Sequence, residues 1–252
     1  MRIIVVDIGN TSVTAGFFEG NRLARAARIE TQRLADQSAA MAFFRQFRSL
    51  GPSASVLASV VPSVNASCAA ALRETTGSSP LVVSHRLRTG FRWGYGPRKT
   101  LGADRIANLA AVAAATRGAA IVADFGTATT FDVLSADRTF IGGVIAPGLP
   151  LMTDYLARRT ALLPLIDVNG RFGIPGRSTR DAMRAGARLG YRGLVREIVS
   201  ELLALPESRN AVLYATGGYA GIAAKDSGLR WKMDPNLTLK GLMRLYRLNV
   251  LS

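Results

Sequence analysis

The chain has 252 residues, of which 48% are hydrophobic and 19% charged, so it is not a mostly disordered polypeptide. The formal net charge is +15, but the excess is nearly all arginine scattered along the chain, and we do not expect nucleic acid to be the main partner. A single cysteine, Cys68, and a single histidine, His85, exclude an intramolecular disulfide and a four-ligand Cys/His zinc site, and they favour a reducing, cytoplasmic setting.

The first predicted elements are a strand, a glycine turn and a returning strand. The β-branched run Ile3–Val6 ends at the turn Asp7–Thr11, and the apolar run Val13–Phe18 follows it. Further elements predicted in this half are strands at Ser55–Val61 and Pro80–Val83 and an alanine-rich helix at Gly102–Ala115. No run of eighteen apolar residues occurs, so we expect no membrane span.

The pattern of strand, turn and strand recurs nearly half the chain later. The apolar run Ala119–Ala123 precedes the turn Asp124–Thr130, and Phe131–Leu134 follows. Both turns carry Asp-x-Gly at the end of a buried strand. We therefore interpret the chain as two similar α/β halves, residues 1–116 and 117–252, packed closely around a cleft.

The second half continues with a glycine-rich stretch and a long helix. The helix is predicted to begin at Ser178, where Ser178 and Asp181 have the form of a capping box. Its apolar positions are Met183, Ala187, Gly190, Leu194, Ile198 and Leu202. Its basic positions are Arg184, Arg188, Arg192 and Arg196, which we interpret as a solvated face, with a dimer surface or an anionic partner as alternatives.

A strand at Ala211–Ala215 is predicted next, and it ends at Thr216–Gly218. These last three residues either place an adenosine against bare backbone or simply link a strand to a helix. The last predicted helix carries one apolar face, Leu239, Leu242, Met243 and Tyr246, and one basic face, Lys240, Arg244 and Arg247.

Both Asp-x-Gly turns carry the residue types that a phosphate chain requires. Asp7–Thr11 offers a glycine for the tight turn, Asn and Thr as donors and Asp for a hydrated cation, and Asp124–Thr127 offers a similar set. If the two turns face each other, they can hold the two ends of a polyphosphate. Neither a P-loop nor a dinucleotide-binding fingerprint occurs in the chain, which excludes those two nucleotide-binding motifs.

Asp104 lies in the first turn of the predicted alanine-rich helix. The helix dipole there favours the ionised carboxylate, which suits a base that accepts a hydroxyl proton. Arg105 beside it can hold a substrate carboxylate, although the two side chains can equally be a charge pair that decorates a helix start. We expect His85 to be a solvated loop residue and Cys68 to be a small core residue.

Seven segments, taken together and in order, resemble the type III pantothenate kinases, which are members of the sugar kinase/heat-shock/actin superfamily. They are Asp7–Thr11, Ala58–Pro62, Gly102–Arg105, Asp124–Thr130, Gly142–Gly143 with Ala146–Gly148, Thr216–Gly218 and Asp234–Gly241. The resemblance implies an α/β fold of two ribonuclease H-like halves with a nucleotide cleft between them.

The same resemblance implies ATP-dependent phosphorylation of pantothenate to 4'-phosphopantothenate, the first step of coenzyme A biosynthesis. Mg²⁺ would accompany ATP, and the family also uses a monovalent cation, K⁺ or NH₄⁺, which the resemblance assigns to Asp124. It implies a cytoplasmic homodimer with pantothenate and ATP as ligands, and no membrane partner.

The remaining site residues implied by the resemblance fall into three groups. ATP is assigned to Asp7, Ile8, Gly9, Asn10, Thr11, Ser12, Val13, Thr14 and Thr127. Pantothenate is assigned to Tyr95, Gly102, Ala103, Asp104, Arg105 and, from the neighbouring subunit, Thr179. Asp104 is assigned as the acceptor of the proton of the primary hydroxyl.

The chain departs from the family pattern in two places. Gly96 precedes Pro97 where family members often carry Asn, and the positive charge is unusually large. The charge keeps open a second hypothesis, a transcription accessory or nucleic-acid-binding protein on the same fold. A third hypothesis keeps the nucleotide cleft but phosphorylates or hydrolyses a different compound.

Overall fold

A computed structural model of the protein describes residues 1–250. The described chain forms two compact units, one made of residues 1–115 together with those from Asn236 onward, the other of Thr116–Pro235. The predicted second half, 117–252, is therefore wrong at its C-terminal end. The last helix belongs to the first unit, because it packs along the helix that begins at Ala103.

The bounds of the elements are as follows. The strands are β1 (Arg2–Ile8), β2 (Ser12–Glu19), β3 (Arg22–Glu30), β4 (Ala54–Ser59), β5 (Leu81–Val82), β6 (Arg92–Trp93), β7 (Ala120–Phe125), β8 (Ala128–Leu134), β9 (Thr139–Pro147), β10 (Val212–Thr216) and β11 (Trp231–Met233). The helices are α1 (Gln37–Arg45), α2 (Asn65–Thr76), α3 (Ala103–Ala115), α4 (Leu149–Arg159), α5 (Thr179–Ala204), α6 (Ala220–Ser227) and α7 (Leu237–Val250).

The sheet of the first unit has the strand order β3-β2-β1-β4-β5. β1, β2 and β3 pair in antiparallel fashion, whereas β4 pairs parallel to β1 and β5 parallel to β4. Alternate β1 residues such as Ile4 and Val6 join a core cluster with Phe44 of α1 and Leu72 of α2, so one face of this sheet is covered by those helices.

The strands of the second unit repeat this arrangement in the order β9-β8-β7-β10-β11. β7, β8 and β9 pair in antiparallel fashion, and β10 and β11 run parallel to β7. Each unit is thus an antiparallel three-stranded meander extended by two parallel strands. The duplication predicted from the two Asp-x-Gly segments is confirmed at the level of strand topology.

Helix α5 begins as its sequence predicts and buries Met183, Ala187 and Leu202 of the predicted stripe, but the stripe shifts in the middle of the helix. Ser178 Oγ accepts the backbone N–H of Asp181 at 3.1 Å, which confirms the cap. The buried residues in the middle of the helix are Tyr191, Val195 and Val199, each one position after a residue of the predicted stripe. Apolar residues occupy both registers of this helix, and the aromatic ring of Tyr191 selects the register that is fully buried.

The interpretation of the α5 arginines as a solvated face is wrong for two of the four. The Arg188 side chain is only 11% exposed, forms a bidentate ion pair with Asp226 and donates to the carbonyl oxygen of Val168 at 3.1 Å. The hydrogen bond to Asp226 raises the pKa of Arg188. Arg184 pairs with Asp181 at 3.1 Å.

Two smaller expectations have clear outcomes. Cys68 is fully buried, as expected of a core residue, and burial raises the pKa of its thiol to about 11. His85 lies in a loop but is half-buried. Within residues 1–250, no helix combines the length and the apolar character needed to cross a membrane.

Candidate active site

The Asp7 turn lies where two parallel strands of the first unit end together. β1 and β4 pair from Ile3 to Ile8, and the backbone N–H of Val60, just past β4, donates to the carbonyl oxygen of Ile8 at 3.1 Å. The turn itself closes through a bond from the Gly9 N–H to the carbonyl oxygen of Ser12, also 3.1 Å. Asp7 therefore lies near the C-terminal end of the central strand, where the backbone is held on both sides, a suitable position for a ligand-binding carboxylate.

A second contact holds the middle of this turn. Thr31 is buried, and its Oγ1 donates to the carbonyl oxygen of Gly9 at 2.6 Å, while its N–H donates to the carbonyl oxygen of Thr11 at 3.1 Å. Asn10 and Thr11 are exposed at the tip. Thr31 thus holds the backbone of the turn while its tip is open to solvent, which is what binding of a phosphate chain requires.

Asp104 lies in the same unit and next to this turn. Its Oδ1 accepts the backbone N–H of Arg105 at 2.8 Å, and its carboxylate occupies the place where a side chain at Gly102 would stand. A Cβ at Gly102 would also lie 3.5 Å from Cγ1 of Val60, the residue bonded to the end of β1. The structure therefore brings the predicted base close to the predicted phosphate-binding turn.

The other first-unit residues that the resemblance assigns to pantothenate lie in or near the start of α3. Ala103 and Arg105 are buried, and the Arg105 side chain leaves little of its guanidinium open to a ligand. Tyr95 is half-buried, with its hydroxyl 3.5 Å from Oγ1 of Thr100. Little of Arg105 is therefore open to a ligand of any kind.

The second turn, in the second unit, is surrounded by glycines that have no room for a side chain. Asp124 is the second-to-last residue of β7 and pairs with Thr216 of β10. Gly217 has φ +94°, and a Cβ there would lie 2.5 Å from Oδ1 of Asp124 and 2.7 Å from the nitrogen of Phe125. The Thr216–Gly218 segment is thus packed directly on the aspartate of the turn, and only glycine fits at residue 217.

Thr127 is exposed on this turn and its backbone is bound to the start of α4. The N–H of Gly148 donates to the carbonyl oxygen of Thr127 at 3.0 Å, and a Cβ at Gly148 would collide with the carbonyl oxygens of Gly126 and Thr127. The glycine-rich stretch of the sequence therefore forms one wall of the second turn.

One hydroxyl beside Asp124 is suited to a cation. Thr130 pairs with Asp124 across β7 and β8, and cross-strand neighbours share one face of a sheet. Its Oγ1 is buried and has no hydrogen-bond partner. A carboxylate and an unsatisfied hydroxyl fit a hard cation that prefers oxygen ligands. Within residues 1–250 no group of three or more His, Cys, Asp or Glu could hold a metal ion, so further ligands must come from elsewhere.

Thr179 is the first residue of α5 and is exposed. It lines an apolar cavity of about 550 Å³ together with Met152, Leu156 and Met183, among others. The implied site residues are thus divided: Asp7–Thr14, Tyr95 and Gly102–Arg105 belong to the first unit, and Asp124, Thr127 and Thr179 belong to the second.

Comparison with known proteins decides the family. The protein-family model described as type III pantothenate kinase matches residues 3–201. The chain belongs to the type III pantothenate kinase family. Proteins named type III pantothenate kinase from Dehalococcoides mccartyi strain 195 and Geobacter sulfurreducens are 36% and 37% identical to it, each over 98% of this chain and over 98% and 99% of their own lengths.

Two solved structures are similar to this chain, and at their low identity they support its fold only. A conserved putative Baf family transcriptional activator from Campylobacter jejuni superposes with a TM-score of 0.59 at 18% identity, covering 97% of both chains. The ROK hexokinase from Thermus thermophilus gives 0.53 at 16% identity over 98% of both chains. The predicted fold class, an α/β fold of two similar halves, is therefore confirmed.

Proposed function

We propose that this chain transfers the γ-phosphoryl group of ATP to the primary hydroxyl of pantothenate, the first step of coenzyme A biosynthesis. The observation that carries the proposal is the position of Asp104 beside the Asp7 turn, at the end of β1 and β4, in a chain that belongs to the type III pantothenate kinase family. A base and a phosphate-binding turn in one place are the two parts that this reaction needs.

Asp104 acts as the general base in this proposal. It accepts the proton of the primary hydroxyl as that oxygen forms a bond to the γ-phosphorus, and the bond from the γ-phosphorus to the bridging oxygen of ATP breaks to release ADP. One Asp104 oxygen is already held by the Arg105 N–H, which leaves the other to take the proton. A positioned base typically contributes ~10²–10⁴ in rate.

The phosphates of ATP bind the backbone of residues 7–14 and Thr127. Both segments are hairpin turns with little side-chain bulk, so backbone N–H groups can approach phosphate oxygens closely. Mg²⁺ bound with ATP supplies charge neutralisation of the transferred phosphoryl group. Asp7, the first residue of this segment, is the carboxylate that would hold a hydrated cation.

A monovalent cation, K⁺ or NH₄⁺, binds at Asp124. The support is the buried, unpartnered hydroxyl of Thr130 on the neighbouring strand, which gives the cation an oxygen ligand in addition to the Asp124 carboxylate. The protein alone offers an incomplete shell for this cation, which leaves room for oxygens of ATP or water.

The protein acts as a homodimer to which Thr179 contributes from the neighbouring subunit. The support is the apolar cavity that Thr179 lines and the exposed leucines of the same unit, among them Leu156, Leu162 and Leu165 at 38%, 90% and 64% exposure. Sedimentation equilibrium of the purified chain tests this part. A monomer at assay concentration would contradict it.

The function is tested by incubating the protein with ATP, Mg²⁺, K⁺ and pantothenate and identifying the product by mass spectrometry. We expect phosphopantothenate and ADP in equal amounts, and none without protein. Other small primary alcohols in place of pantothenate test for a different acceptor. Equal turnover of several alcohols, or ATP hydrolysis without a phosphorylated acceptor, would contradict the proposal.

A role in nucleic-acid binding is motivated by the net charge, and the two relatives named type III pantothenate kinase do not favour it. If it were the main function, binding to duplex DNA would persist at moderate salt and prefer some sequences. We expect instead that any affinity falls steeply with salt and shows no sequence preference.

A further inference from the structure

Tyr191 is a buried polar residue to which neither the motifs nor the proposed reaction assign a role. It lies in the middle of α5 and is 2% exposed. Its ring makes an edge contact with Phe125, the residue after Asp124, with ring centroids 6.4 Å apart. Tyr191 is therefore the part of the second unit's core that packs against the residue after Asp124.

The hydroxyl has two partners, and both belong to segments that adjoin or contact Thr127. Its oxygen lies 2.5 Å from Oγ1 of Thr129, two residues after Thr127. It also accepts a hydrogen bond from the backbone of Leu149, the first residue of α4. Leu149 follows Gly148, whose N–H is bonded to the carbonyl oxygen of Thr127.

These bonds form one continuous path. From Tyr191 it runs to Leu149, through Gly148 to the carbonyl oxygen of Thr127, and back along the chain through Thr129 to the same phenol oxygen. The path therefore includes the carbonyl group of Thr127 and the two residues that follow it. We propose that the Tyr191 hydroxyl is a positioning group that holds Thr127 in the geometry that binds the phosphates of ATP.

A phenylalanine at this position would fill the same volume but would lack the hydroxyl, so the path would be interrupted at residue 191. The Thr129 hydroxyl and the Leu149 N–H would both lose a buried partner, and the start of α4 could move relative to the turn. Because the path runs through the turn that carries Thr127 and not through Asp104, removal of the hydroxyl should weaken nucleotide binding and leave pantothenate binding unchanged. This inference rests on the proposed role of Thr127 in binding ATP.

The chain offers a matched control for this substitution. Tyr214 lies in β10 of the same unit, is 3% exposed and has its hydroxyl 3.3 Å from Nζ of Lys232. Tyr214→Phe therefore removes a buried tyrosine hydroxyl from the same unit without touching the path. Thr129→Val opens the path from its other side and serves if Tyr191→Phe does not fold.

The test is calorimetric titration of wild type, Tyr191→Phe, Thr129→Val, the double variant and Tyr214→Phe with a non-hydrolysable ATP analogue and Mg²⁺. We expect Kd to rise about three- to tenfold in each path variant, no further in the double variant, and to stay unchanged in Tyr214→Phe. Steady-state assays should show the same rise in KM for ATP, with KM for pantothenate within twofold of wild type.

Two results would overturn the inference, and they are distinguishable. If wild type binds the analogue and the path variants bind it equally well while only their thermal stability falls, Tyr191 is a structural residue and the proposed function is untouched. If wild type does not bind the analogue at all, both the inference and the proposed kinase function are wrong.

Discussion

Gly148 donates its backbone N–H to the carbonyl oxygen of Thr127, and a Cβ at Gly148 would lie 2.7 Å from the carbon of that carbonyl. The φ of Gly148 is −73°, which any residue can adopt, so the requirement for glycine here is purely one of space. The start of α4 and the second turn are therefore in direct backbone contact.

Gly148→Ala should consequently separate the turn from α4. We expect the free energy of unfolding to fall by about 1–3 kcal/mol, as is typical of overpacking, and KM for ATP to rise about tenfold or more. Urea denaturation and steady-state kinetics measure the two effects. The control is Gly193→Ala in α5, where the added methyl meets open space and should stabilise the helix by about 0–1 kcal/mol. Equal behaviour of the two variants would refute the packing argument.

The proposed cation site predicts a specific response to potassium. Asp124→Asn keeps the size of the side chain but removes its charge, so we expect it to abolish both the activation by KCl and the rise in melting temperature that KCl gives over choline chloride at equal ionic strength. Thr130→Val should raise the KCl concentration for half-activation about three- to tenfold. Unchanged KCl dependence in Asp124→Asn would exclude this site.

The Arg188–Asp226 pair should stabilise the second unit more than an exposed pair can. Its side chains are 11% and 18% exposed, so Asp226→Asn leaves a nearly buried guanidinium without its counter-charge and should cost about 2–4 kcal/mol. Glu19→Gln breaks the pair with Arg2, whose members are 54% and 46% exposed, and should cost about 0–1 kcal/mol. Chemical denaturation of both variants measures the two decreases in unfolding free energy. Equal decreases would contradict the prediction.

The raised pKa of Tyr191 predicts that the protein loses stability at alkaline pH. Burial, with a smaller contribution from the charge of Asp124, raises the pKa of Tyr191 to about 12, from an ordinary value near 10. Because the folded-state pKa is raised, the corresponding stability is fully present below pH 10 and is lost as pH rises towards 12, by up to about 2–3 kcal/mol.

Tyr191→Phe lacks this titration. The difference in unfolding free energy between wild type and variant should shrink between pH 9 and 11.5, when both are followed by urea denaturation at each pH. Cys68 also has a raised pKa, but it is present in both proteins and cancels in the difference. Parallel curves for the two proteins would show that Tyr191 ionises as easily in the folded protein as in the unfolded one.

The sequence predicts most of the strand framework because the signals are local. A β-branched run followed by a glycine turn specifies a hairpin wherever it occurs, and the two runs before Asp7 and Asp124 became β1 and β7 within two residues of their predicted bounds. The start of α5 was equally local, since Ser178 caps it through an atom three residues away.

Features that depend on distant partners were missed. The bidentate partner of Arg188 is 38 residues away, so its helix position alone suggested solvent. The last helix joins the first unit because Gly241 lets it approach the backbone of Ala107, a contact that chain order does not reveal. Tyr191 has a visible signal in the sequence, since it lies four residues from both Ala187 and Val195. Its hydroxyl, however, makes a tyrosine an ambiguous member of an apolar stripe.

The most direct test of the central claim is pantothenate-dependent release of ADP by wild type and Asp104→Asn at saturating ATP, Mg²⁺ and K⁺. Glu74→Gln, which changes an exposed carboxyl of the first unit, is the control. We expect kcat to fall ~10²–10⁴-fold in Asp104→Asn, with KM for ATP and the melting temperature nearly unchanged, and no change in Glu74→Gln. Full turnover by Asp104→Asn, or no turnover by wild type, would contradict the account.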